Sequence, residues 1–463
     1  MCASTIKGNK IKPSSALGTN LPIHFIYLNL LTNFIQNLYL PTMNKTHHPI
    51  LSLPVLVAAL GYFVDIYDLV LFSIVRKQSL LDIGIPESGL ESKGLLLINI
   101  QMIGMLLGGL FWGILGDKKG RLKVLFGSIL LYSLANIANA YVQNVEMYCV
   151  LRFIAGFGLA GELGAGITLV SEIMHKEKRG WSTTVIATVG VSGAILAGIL
   201  GTVYEMQWHI PYIIGGALGL ALLFLRFGVF ESGMYQNTKN TSDNLGSLKL
   251  LFSQKLLRNK YLKCILVGLP IWYTIGILIT FSPELGKLMG IEGKIRSGYA
   301  IMFCYSGVTL GDLFTGLLSQ WIQSRRKVLL YFVAATLLMV VAYFYFPYKN
   351  VEQFYALMVL LGFAAGYWAV LMVSTAEQFG TNIRATATTS VPNFIRGALT
   401  PITFCYIGIQ SLGLDKPMAA LVTGIICCSI ALVASYFMEE TYAKELDYVE
   451  TPDDLELPMS SSK

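Results

Sequence analysis

The chain has 463 residues, of which 54% are apolar and only 13% charged; its net charge is +7 and its mean hydropathy +0.61. That composition excludes an ordinary soluble domain. The cations stand in short segments between apolar runs, with no interleaved basic and aromatic surface, which excludes nucleic acid and points to orientation in a lipid bilayer.

Residues 1–49 read as a dispensable extension. Lys7, Lys10 and Lys12 precede an apolar run from Leu21 to Leu40 that His24, Asn29, Asn33, Gln36 and Asn37 dilute, and no small-residue cleavage site follows. From there, apolar runs long enough for the roughly 30 Å hydrocarbon core recur to residue 438. They predict an all-α membrane protein with twelve transmembrane helices, in two six-helix halves (50–230 and 262–438) joined by a cytoplasmic linker (231–261) and followed by an acidic tail (439–463).

The first span, about 50–75, places Gly61, Asp65, Asp68 and Phe72 on one helical face. Carboxylates at that depth are costly in lipid, so they should face the interior or a water-filled path, which makes them functional candidates. Spans two (about 94–115) and three (about 124–144) flank GILGDKKGRLK, Gly113 to Lys123, read as a very short loop of about eight residues. Lys118, Lys119, Arg121 and Lys123 mark it as cytoplasmic. Gly113, Gly116 and Gly120 permit close approach and a sharp reversal, and Asp117 is placed to pair with Arg121 or to accept from backbone N–H groups. The fourth span carries Arg152 near its outer end and Glu162 near its middle, among closely spaced glycines.

Spans five (about 182–206) and six (about 210–228) lead to the polar linker, whose segment SLKLLFSQKLLRNKYL reads as an amphipathic helix on the inner membrane surface. Spans seven to twelve follow at about 262–283, 298–322, 328–347, 354–377, 387–409 and 416–438. The acidic tail reads as a solvated, partly disordered end. Lys and Arg are about twice as frequent in the loops on the linker side as on the other, which puts both termini in the cytoplasm. No HExxH, no G-x-S-x-G and no mid-span histidine occurs, and the seven cysteines form no disulfide or metal framework, so neither an enzyme nor a cofactor or metal site is expected.

The halves repeat. SEIMHKEKRGWSTT at 171–184 aligns without a gap on AEQFGTNIRATATT at 376–389, with Glu172 over Glu377 and Arg179 over Arg384, an offset of 205 residues. GLLSQWIQSRRK at 316–327 repeats the 113–123 segment at nearly the same offset, with Gln320 in place of Asp117. Two units of one orientation are the pattern of transporters whose halves are related by an axis along the membrane normal.

These motifs carry a resemblance. G-x-L-x-D-x-x-G-[RK]-x-[RK] at 113–123 resembles the loop 2–3 signature of the major facilitator superfamily; Arg152-x-x-x-Gly156 is similar to its fourth-helix motif, with Ala155 where glutamine is frequent. VDIYDL and GELGAG resemble motifs of metabolite:proton symporters. FESGMY and MEETYAKELDYVE resemble the ends of sugar porters, without their prolines and arginine.

The resemblance implies alternating access around a solute site between the halves, lined by helices one, four, seven, eight, ten and eleven. On those helices it implies substrate contacts from Trp272, Tyr273, Tyr305, Asp312, Tyr367, Trp368, Asn393 and Arg396, and proton coupling through Asp65, Asp68 and Glu162 with Arg152 assisting. The charged inner loops are expected to act as a conformational latch: Gly113, Asp117, Gly120, Arg121, Glu172 and Arg179 in the first half, and Arg325, Arg326, Glu377 and Arg384 in its copy. The function implied is secondary active, proton-coupled uptake of a small polar metabolite, an organic acid or sugar, by a monomer in the plasma (bacterial inner) membrane; the alternatives are an efflux antiporter for amphipathic compounds and a non-transporting sensor. Its partners are then the solute, protons and the bilayer.

Overall fold

The computed structural model describes residues 52–174, 176–203, 207–226 and 246–450. The N-terminal extension, linker residues 231–245 and the Arg179 side chain lie outside the described residues.

Beside the short helices Glu87–Gly89, Leu248–Ser253 and Ser282–Leu288, twelve longer helical runs follow one another among the described residues. They are α1 (Leu53–Asp82), α2 (Leu90–Lys119), α3 (Arg121–Asn139), α4 (Val145–Leu159 and Glu162–Ile173), α5 (Lys176–Val191, continuing through Gly193–Gly198 into a π-helical Ile199–Val203) and α6 (His209–Leu225). Then come α7 (Lys255–Tyr273, with a π-helical Thr274–Ile279), α8 (Ser297–Trp321), α9 (Arg325–Tyr345), α10 (Val351–Ala365 and Trp368–Gln378), α11 (Arg384–Gly397 and Leu399–Ser411) and α12 (Lys416–Tyr436). Among the described residues ten of these runs are long and apolar enough to cross a membrane; α6 is shorter and α11 is divided at Ala398.

Helix starts are set by local chemistry. Asn144, Ser324, Asn350 and Asp415 each accept from the backbone N–H three residues on, capping α4, α9, α10 and α12. The most buried runs are α1, α4, α7 and α10; 83% of the apolar window of α1 is buried, against 39% for α9. These four helices, equivalent by the internal repeat, form the centre. Two of them are interrupted at equivalent points, α4 at Ala160–Gly161 and α10 at Gly366–Tyr367, and irregular backbone at that depth is tolerated where it is buried in protein or lines a cavity.

Three boundaries differ from expectation. Helix α1 continues to Asp82, so Arg76 and Lys77 ride on helix and not in a loop. The eight-residue loop between spans two and three shrinks to Gly120 alone, at φ 102° and ψ 152°, between helices ending at Lys119 and starting at Arg121. The third concerns the acidic tail, whose residues 439–450 dock on protein: Tyr448 O accepts from Thr381 N at 2.8 Å, and Glu450 and Asn382 exchange two hydrogen bonds of 3.0 Å.

Candidate functional site

Asp117 at the end of α2 reaches across to the first turn of α11. Its Oδ1 accepts from Ala385 N at 3.1 Å, and its Oδ2 from Thr386 N at 2.8 Å and Thr386 Oγ1 at 2.7 Å. A carboxylate thus satisfies the unpaired donors at a helix N-terminus belonging to the opposite half. The approach needs glycine: a Cβ on Gly113 would meet the Thr386 backbone, and one on Gly116 would meet Ala385 Cβ.

Beside it, Arg121 donates to Glu172 at 2.7 Å, to Gly116 O at 2.9 Å and to Thr381 O at 3.1 Å. Arg384 donates to Glu172 at 3.1 Å and to Leu446 O at 2.6 Å. All four charged side chains are buried. The expected two separate networks are therefore joined, because Arg384 of the second half shares Glu172 of the first. In the copy, Arg325 lies 3.5 Å from Glu377 and donates to Ser319 at 2.7 Å. Gly180 of the first half packs directly on Arg325 and Gln320. Arg326 stands apart from this cluster, half-buried, its guanidinium 5.4 Å from the Tyr436 ring centroid. This end of the molecule is called the latch face below.

Toward the centre, Asp65 and Asp68 are buried with no hydrogen-bond partner within range among the described residues. The charges acting on Asp65 are Arg396, Asp68 and Arg226; Arg152 and Asn136 act on Asp68. Arg152 is bonded to Gln101 Oε1, and its guanidinium lies 4.8 Å from the Phe72 ring centroid. Glu162 is elsewhere engaged. Both its oxygens accept from Arg226, which also donates to Leu125 O at 2.6 Å, so the expected grouping of Glu162 with Arg152 is replaced by a buried, bidentate pair. Arg226 was not singled out from sequence; it stands at the end of an apolar run, where a cation is ordinary. Its sole signal was the need of Glu162 for a partner.

Of the expected substrate contacts, five gather. Arg396 lies 5.9 Å from the ring centroids of both Trp272 and Trp368, donates to Asn393 at 3.4 Å, and acts electrostatically on Tyr305. Asn393 also ties α11 to the break in α4 through Ala160 O at 3.0 Å. Three others are committed to packing. Tyr273 donates to Ala420 O at 2.6 Å, Tyr367 donates to Val267 O at 2.9 Å, and Asp312 accepts from Ala369 N at 2.9 Å, capping the second segment of α10. On the side away from the latch face, Trp272 and Tyr305 wall a cavity of about 170 Å³, which Ser73, Asn99, Thr280, Thr400 and Thr403 also line.

The Major Facilitator Superfamily profile matches residues 26–399. The niacin transporter NiaP of Acinetobacter baylyi is 25% identical over 90% of this chain and 99% of its own. A cis,cis-muconate transport protein of the same organism is 24% identical over 83% of this chain and 94% of its own. Among solved structures, the proton:xylose symporter XylE superposes with a TM-score of 0.69 at 16% identity, over 85% of this chain and 97% of that one. The two repeated halves, the crossed latch and a profile match over most of the sequence lead to one conclusion: this chain belongs to the Major Facilitator Superfamily and is a multi-pass, secondary active solute transporter.

Proposed function

We propose that this transporter takes up a small planar carboxylate together with protons, with the latch face and both termini in the cytoplasm of a bacterial cell, acting as a monomer in the inner membrane. The observation that carries the reading is Arg396: a buried guanidinium between two indoles, next to the cavity walled by Trp272 and Tyr305. A guanidinium binds a carboxylate bidentately, and flanking aromatic faces suit a planar solute. The cavity is comparable with an apolar cavity of about 150 Å³ that holds benzene. Relatives named for niacin and cis,cis-muconate, both organic acids, support the same class.

Proton coupling rests on Asp65, which lies in the field of Arg396 and beside Asp68. An anion bound by Arg396 would remove the positive field that Asp65 experiences and favour its protonation, linking solute and proton. The state described, tied together at the latch face with its cavity on the other side, fits one that awaits external solute. Uptake of labelled nicotinate into proteoliposomes under an imposed pH gradient, without sodium, tests the reading. Acceleration is expected, with Arg396→Lys abolishing uptake and Asp65→Asn sparing exchange while abolishing accumulation. Stimulation by sodium alone, or uptake of xylose and not of carboxylates, would refute it. Binding without any uptake would favour a sensor, and outward pumping an antiporter.

A further inference from the structure

Asn393 is buried on α11, one turn before Arg396, and both ends of its amide are used. Its Nδ2 donates to Ala160 O at 3.0 Å and to Thr389 O at 2.6 Å, and its Oδ1 accepts from Arg396 Nη1 at 3.4 Å. Carbonyls only accept and a guanidinium only donates, so the amide has a single orientation that suits its neighbours.

The bond to Ala160 crosses between the halves. Ala160 is the C-cap of the first segment of α4, where the last carbonyls lack partners within the helix, and Asn393 supplies one. Helix α2 of the same first half closes over the side chain: a Cβ on Gly109 would lie 2.9 Å from Asn393 Cβ and Nδ2. Asn393 is thus carried by the second half and seated in the first.

This seat is the far end of a series that starts at the latch face. Ala385 and Thr386 donate to Asp117; next along α11, the Thr388 hydroxyl is bonded to that of Thr168 and lies 3.4 Å from Gly164 O; then comes Asn393 on Ala160. Ala160, Gly164 and Thr168 recur at the i, i+4 spacing that puts residues on one helix face. At its other end the amide faces the solute site. The bond to Asn393 is the one hydrogen bond that Arg396 makes among the described residues, and Arg396 Nε has no partner there. A carboxylate that binds the guanidinium bidentately therefore competes with Asn393 for its protons.

We propose that Asn393 is the positioning residue that couples solute occupancy at Arg396 to the contact between the halves. In the geometry described, Arg396 donates to Asn393 Oδ1, and the amide polarised by that charge donates to Ala160 O. A solute carboxylate takes over Arg396 and weakens the bond that seats Asn393 in the first half. The inference rests on the solute being an anion bound by Arg396, as proposed above. Linkage makes the effect reciprocal: a change that unseats Asn393 beforehand eases solute binding by the same factor.

Hydrogen exchange at the Ala385 and Thr386 amides, which Asp117 protects, reports parting of the halves in the purified full-length protein in nanodiscs. Without solute, Asn393→Leu and Arg396→Met are each expected to speed this exchange roughly fivefold, and together no more than either alone, because both act through one bond. Nicotinate should speed it in the unmodified protein and add nothing in Asn393→Leu, whose Kd for nicotinate should fall roughly fivefold. Loss of a solute ligand would raise Kd instead, and loss of a mere packing residue would leave it unmoved. Gly109→Ala, which presses on the amide while keeping Asn393 and Arg396, should move exchange and Kd in the same directions, so the test does not depend on one variant folding well. An unmoved exchange rate in Arg396→Met, additive effects in the double variant, or a nicotinate Kd in Asn393→Leu that is unchanged or higher would overturn the proposal. Failure of nicotinate to bind the unmodified protein would refute the substrate reading alone, since the solute-free variants still decide the coupling.

Discussion

Glu162 and Arg226 show how a buried charge is tolerated only as part of a complete set of bonds. Each removes the other's cost of burial, and the Leu125 carbonyl takes a further guanidinium proton. Removing one partner leaves the other uncompensated, so Arg226→Met should destabilise the protein by about 3–5 kcal/mol. The double variant Glu162→Gln, Arg226→Met should recover most of that loss in thermal unfolding of purified protein, and should keep proton-driven accumulation. A double variant no better than the single one would mean that Arg226 matters chiefly for its packing and its bond to Leu125. Asp65 contrasts with this pair: it is as deeply buried, yet among the described residues no hydrogen-bond partner lies within range.

At the scale of elements, the junction of α2 and α3 depends on one residue. Gly120 sits at φ 102° and ψ 152°, a region essentially closed to side chains, so Gly120→Ala should cost about 1–3 kcal/mol and displace Asp117 and Arg121 together. Thermal unfolding measures the first, and loss of protection of the α11 amides in hydrogen exchange the second. A neutral substitution would show that the turn can rearrange. The tail makes a second dependence at the start of α9. Burial alone would raise the Glu440 carboxyl, but hydrogen bonds from Ser324 Oγ and the backbone N–H groups of Arg325, Tyr442 and Thr441 outweigh it and hold it below the ordinary carboxylate range. A lowered pKa contributes stability above the unfolded value near 4.5 and loses it as pH falls through the folded one. Glu440→Gln should therefore lower the melting temperature at neutral pH and flatten its acid limb; an unchanged acid limb would exclude this cap as its source.

The spans themselves were legible because hydropathy reports lipid contact directly, and the meeting of Arg121 with Glu172 and of Arg325 with Glu377 because charges at loop positions repeat at a constant offset. Helix ends were not, since α1 gains two turns from tertiary packing that no apolar run records. The fates of Tyr273, Tyr367 and Asp312 were equally hidden: whether a polar group meets solute or a neighbouring carbonyl is decided by helix rotation of a few tens of degrees, on which one sequence is silent.

For the whole molecule, the crossed bonds at the latch face are expected to set the balance between conformations. Asp117 contributes three hydrogen bonds to α11, all of which must break for the halves to part there, while its 3.4 Å ion pair with Arg121 lies within the first half. Asp117→Asn keeps the shape but cannot accept at both oxygens. Turnover should fall while equilibrium affinity for solute stays within a few fold, because the group biases conformations without touching solute; paired measurement of kcat and Kd checks this, and unchanged turnover would count against a latch. The same bonds bear on how the protein is made. Asp117 and the Ala385 amide that it caps are 268 residues apart. At about 5–20 residues per second, roughly ten to fifty seconds of synthesis separate the carboxylate from its partner. Before that interval ends the first six helices have been made, with Asp117, Arg121 and Glu172 still lacking their partners from the second half, and the cluster closes only when the tail segment carrying Leu446 has left the ribosome. Insertion of this transporter therefore includes a waiting period, during which the first half holds donors and acceptors whose partners have not yet been made.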